Sequence, residues 1–79
     1  MKTQIMEILN EVKPECDFSS SENFIEDGML DSFDLITIIS YIEEKFNIVV
    51  DGLDMIPENF ISVEAIAQMV EKNGFKNGF

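Results

Sequence analysis

Apolar residues recur at helical spacing in three stretches of this chain. In the first, Ile5, Ile8, Leu9 and Val12 fall at i, i+3, i+4 and i+7, with Glu7, Asn10 and Glu11 off the stripe. Pro14 ends that helix, because proline has no N–H to continue it. The second stretch, Ser32 to Phe46, carries Leu35, Ile38, Ile39, Ile42 and Phe46 on one stripe. Its β-branched residues also suit a strand. The spacing and length favour a helix, and Glu43, Glu44 and Lys45 close it with good helix formers. The third begins at Ser62, an N-cap candidate, repeats the spacing in Val63, Ile66, Ala67 and Val70, and stops at Lys72-Asn73-Gly74.

Two loops separate these helices. Glu15 to Asp31 is long for a compact domain, which often marks a functional loop, and Phe18, Phe24, Ile25 and Leu30 are placed to pin it to the core. In the second loop, Asn47 to Ile61, Pro57-Glu58-Asn59-Phe60 suits one helical turn with proline at its first position. Ile48-Val49-Val50 is an extended piece with no partner strand. The expected fold is all-α: a small four-helix bundle of three main helices and one short turn helix. The domain covers residues 1–74. K-N-G-F occurs twice, at 72–75 and 76–79, and residues 75–79 read as a frayed tail. Met6, Met29, Met55 and Met69 are expected to fill core gaps, and Tyr41 to lie on the surface.

Charge narrows the function. Five lysines face sixteen Asp and Glu, for a net charge of −11, with no arginine or histidine. Phosphate-backbone binding needs cations to replace counterions, so nucleic acid is excluded as a partner. No apolar run approaches the roughly 20 residues of a membrane span. Glu7 and Glu11 interrupt the first apolar stretch, as an export signal would not, so a cytoplasmic, monomeric protein is expected. A lone Cys16 forms no internal disulfide and supplies no Cys-rich zinc site. Without histidine, Ser-His-Asp and Cys-His catalysis are absent, and the chain by itself is not expected to be an enzyme. Asp27-Gly28 and Asp51-Gly52 lack the ligand series of an EF-hand, so no metal site is expected. Partners should present basic patches.

The densest chemistry lies in Glu26-Asp27-Gly28-Met29-Leu30-Asp31-Ser32-Phe33-Asp34-Leu35. Asp31 or Ser32 can simply cap the second helix. Yet two acids bracket the serine where a cap needs one. At 100° per residue, Phe33, Ile36, Thr37 and Ser40 lie between about 100° and about 200° from Leu35, away from the core stripe. Glu44, near about 180°, and Glu43, near about 80°, extend this second face with negative charge. One reading is an acidic interaction module in which Ser32 is only a cap; the other, a carrier loaded on Ser32, is what a family resemblance implies.

D-S-F-D-L, followed by an apolar helix ending E-E-K-F-N-I, resembles the acyl carrier protein family. I-P-E-N-F-I-S-V-E-A-I-A resembles that family's third and fourth helices, and the resemblance runs from about Ile5 to Val70. It implies that Ser32 is esterified by 4'-phosphopantetheine, added from coenzyme A by a separate phosphopantetheinyl transferase. It implies that the arm's thiol holds an acyl or aminoacyl thioester for partner loading and transfer enzymes. Asp31 and Asp34 would then serve recognition by a basic transferase surface. Phe33, Ile36, Thr37, Ser40, Glu43 and Glu44 would form the docking face. Many fatty-acid carriers place glycine three residues before the serine. Here Gly28 stands four before it, in D-G-M-L-D-S, a variant that resembles free-standing carriers of D-alanine or other amino acids.

Overall fold

The computed structural model describes residues 1–74, and these form three α-helices: α1 (Lys2–Val12), α2 (Ser32–Phe46) and α3 (Val63–Lys72). The expected tail at 75–79 lies outside the described residues. The turn helix at Pro57–Phe60 is present as a 3-10 turn. Two further 3-10 turns, Phe18–Ser20 and Gly52–Asp54, sit in segments that the periodicity assigned to loop. Each begins at an aspartate, Asp17 or Asp51, whose side chain accepts from a backbone N–H two residues on. Ile48-Val49-Val50 forms no strand, and there is none among the described residues.

The stripes meet as the spacing requires. Ile5, Ile8 and Leu9 of α1, all five stripe residues of α2, and Ile66, Ala67, Met69 and Val70 of α3 are buried in one cluster. Phe18, Phe24 and Leu30 complete it from the first loop, with Ile25 half-buried against it. Phe18 and Phe24 meet edge to face, their ring centroids 5.0 Å apart. The Phe24 N–H donates to the Ile61 carbonyl at 2.8 Å, so the first loop is fastened to the entry of α3. Met69 is buried and Met6 and Met29 half-buried. Met55 is exposed, contrary to expectation. It closes the Gly52–Asp54 turn, whose buried member is Asp54 instead.

Helix ends explain the remaining boundaries. Ser62 Oγ accepts from the Ala65 N–H, so it is the N-cap of α3. Asn47 ends α2 in the left-handed conformation, with φ 55°, a geometry that asparagine tolerates better than most residues.

Candidate functional site

Ser32 is exposed as the first residue of α2, and the cap just before it is Asp31. Asp31 Oδ1 accepts from the Asp34 N–H at 3.1 Å, and Asp34 Oδ2 accepts from the Asp31 N–H at 3.0 Å. This reciprocal capping box satisfies two backbone donors that the helix start would otherwise leave free. It also corrects the premise that a cap needs only one of the acids, since here it uses both. The Ser32 side chain takes no part in the cap, which leaves its hydroxyl free for chemistry.

Lys13, at the end of α1, reaches across to this cap. Its Nζ lies 3.4 Å from Asp34 Oδ2, and 3.8 Å from Glu15 Oε2 on its other side. The hydrogen bond to Asp34 is the main cause that holds the Lys13 ammonium above its ordinary range. Asp31 is held below the ordinary carboxylate range, chiefly by the Asp34 N–H. Gly28, with φ 73°, makes the turn that leads into Leu30 and Asp31, a conformation costly for any side chain with a Cβ.

The second face of α2 points to solvent. Phe33 is 82% exposed and Ile36 56% exposed, so the long first loop does not cover them. The Thr37 hydroxyl donates to the Phe33 carbonyl at 3.1 Å, and the Ser40 hydroxyl to the Ile36 carbonyl at 3.3 Å. Both hydroxyls are thus turned onto the helix backbone, which lowers the polarity they show to a partner. Glu44 is exposed beside them. Glu43 is half-buried and turned the other way: its Oε2 accepts from the Val50 N–H at 2.9 Å.

Sequence reasoning missed two features. Asp54 is the one buried charged residue among those described. Lys72 Nζ at 2.8 Å and Asn73 Nδ2 at 3.0 Å donate to its two carboxylate oxygens. These bonds, the Lys72 bond first, hold Asp54 below the ordinary carboxylate range. Asn73 Oδ1 also accepts from the Asp51 N–H at 2.7 Å, so the Asn47–Ile61 loop is latched to the end of α3. That latched loop exposes Val49, Leu53, Met55 and Ile56. No periodic pattern marks these positions, because the segment is built of turns. A surface cleft of about 310 Å³ between α1 and α2, lined by Glu7, Ile8, Glu11, Tyr41, Glu44 and Lys45, lies apart from Ser32. Among the described residues, no group of three His, Cys, Asp or Glu is placed to hold a metal ion. No helix there is long and apolar enough to cross a membrane.

An exposed serine thus heads α2 in an acidic helical bundle. The family described as the phosphopantetheine attachment site matches residues 2–70, and the chain belongs to it. No curated protein and no solved structure matches at a significant level. Members of this family are non-catalytic carriers of covalently attached 4'-phosphopantetheine. They interact with phosphopantetheinyl transferases and with the enzymes that load them. An interaction module without a prosthetic group is thereby set aside.

The residues present fit such a group. The hydroxyl of Ser32 is accessible, and a phosphodiester there would lie at the positive end of the α2 dipole, near first-turn N–H groups. Asp31 and Asp34 oppose it with like charge, and Lys13 offsets part of that opposition.

Proposed function

We propose that Ser32 Oγ is the attachment point, and that the chain passes an acyl or aminoacyl group between partner enzymes that dock on the second face of α2. The observation that carries this reading is the exposed serine between the two members of the capping box, beside an uncovered apolar face. When bound, the arm supplies a terminal thiol that holds the cargo as a thioester. Phe33 and Ile36 supply the apolar contact, Thr37 and Ser40 a flat shoulder, and Glu44 the charge at its edge. Glu43 contributes its field rather than a contact, since its carboxylate holds the Val50 N–H. A matching partner presents an apolar pocket ringed by Lys or Arg, in which rim charges mainly set the on-rate.

The D-G-M-L-D-S spacing supports an aminoacyl cargo of the D-alanyl kind over a fatty acyl one. The charge of −11 supports a monomer, since two copies repel. Light scattering at low ionic strength checks that point, and a dimer there would refute it. A single cysteine, with no internal disulfide, supports a cytoplasmic place of action, which fractionation checks.

The decisive test is intact mass after incubation with coenzyme A and a broad-specificity phosphopantetheinyl transferase. One arm should appear on the wild type and none on Ser32→Ala. Modification that persists in the variant, on Ser19, Ser20 or Ser21, would sink the assignment. Thioester-bound cargo, released from the native holo chain by hydroxylamine and weighed, distinguishes an aminoacyl from a fatty acyl group.

A further inference from the structure

We infer that Lys13 is a positioning residue for the modification of Ser32, and that it acts through Asp34. The inference rests on Ser32 being the attachment site. From Glu15 to Asp34 the chain has seven carboxylates and no cation. The fold brings one in from outside that segment. Lys13 Nζ stands 3.4 Å from Asp34 Oδ2, the same oxygen that holds the Asp31 N–H. The side chains of the pair are 28% and 14% exposed, so solvent screens them less than a surface pair.

This shared oxygen has two consequences. The first is geometric. Lys13 keeps the Asp34 carboxylate from swinging off the Asp31 N–H, and that bond fixes the Leu30–Asp31 peptide, one residue before Ser32. The second is electrostatic. In the transfer, Ser32 Oγ attacks the phosphorus of coenzyme A that bears the pantetheine. A new P–O bond forms, the bond to the other phosphate breaks, and adenosine 3',5'-bisphosphate leaves. The serine proton passes to a base on the transferase. The diphosphate approaches as an anion, and two uncompensated carboxylates beside the hydroxyl would repel it. Lys13 cancels one of them. Whatever the pair adds to folding, it also sets the charge beside the neighbouring serine.

Initial rates with coenzyme A and a broad-specificity transferase, taken across carrier concentrations and read by intact mass, separate kcat from KM. Modification of the wild type and none of Ser32→Ala verifies the site itself, and failure there refutes the attachment reading, not this one. Lys13→Met should lower kcat about tenfold. Its KM should stay level or fall, because a basic partner meets a more acidic surface. Lys13→Arg should restore most of the rate. In an Asp34→Asn background, Lys13→Met should change kcat by less than about twofold, since the two residues act as a unit. A kcat within twofold of wild type, a loss confined to KM, or a full loss persisting in Asp34→Asn would overturn the inference. So would a Lys13→Met chain that no longer folds by circular dichroism, for Lys13 would then serve the fold alone.

Discussion

Ser32 and Asp31 are adjacent, yet they do separable jobs. Asp31 caps α2 and Ser32 does not. Asp31→Ala should therefore cost about 0.5–2 kcal/mol. Ser32→Ala should melt within a few degrees of wild type while losing the arm. Thermal melts of the two variants check this, and a Ser32→Ala chain as weakened as Asp31→Ala would make the serine part of the cap. Asp54 gives a pH prediction. Its folded-state pKa lies below the ordinary value of 3.8. The stability it contributes is then present above that value and is lost as pH falls through the lower, folded one. Asp31 acts with the same sign. Asp54→Asn should weaken the protein at neutral pH and flatten the acid limb of melting temperature against pH. An unchanged acid limb would show that the Lys72 and Asn73 bonds do not couple to folding.

At the scale of the element, α2 carries two apolar faces with different fates. Ile38 is fully buried, and Ile38→Ala should cost about 2–5 kcal/mol. Phe33→Ala and Ile36→Ala should change stability by no more than about 0.5 kcal/mol, as exposed positions do, yet make poor substrates for the transferase. A Phe33→Ala chain that melts as early as Ile38→Ala, or one modified at the full rate, would refute the docking face. These faces were legible in the sequence because a helix converts residue number directly into angle. The Ser62 cap and the end of α1 at Pro14 were legible for a similar reason, as each follows from its own chemistry. The loops were not. Met55 looked like a core residue by type, but its place is set by the turn from Gly52 to Asp54. The Asp54–Lys72–Asn73 latch and the reach of Lys13 to Asp34 join residues 18 or more positions apart. No local pattern encodes such pairings, which appear only once the helices have packed.

At the scale of the whole molecule, charge sets the balance between fold and function. Each of the four lysines among the described residues, Lys2, Lys13, Lys45 and Lys72, is in an ion pair. Together they engage five of the sixteen carboxylates. The others repel one another across a bundle whose total stability should be about 4–12 kcal/mol at this length. Added salt weakens both the pairs and the repulsion, and the question is which loss is larger. Lys2–Glu64 and Lys45–Glu7 are well exposed and contribute about 0–1 kcal/mol each. Lys13–Asp34 and Lys72–Asp54 each place the carboxylate under cover, so salt reaches them less. Repulsion among exposed acids is fully open to screening, with a Debye length near about 8 Å at about 0.15 M. The melting temperature should therefore rise as NaCl is added. The same salt screens the field that draws a basic partner to the surface, so kcat/KM for modification by the transferase should fall over that range. Opposite slopes in one salt series are the signature of a carrier that gives up stability for attraction. A melting temperature that stays flat or falls would show that the uncompensated acids do not burden the fold. A modification rate indifferent to salt would show that they do not recruit the partner.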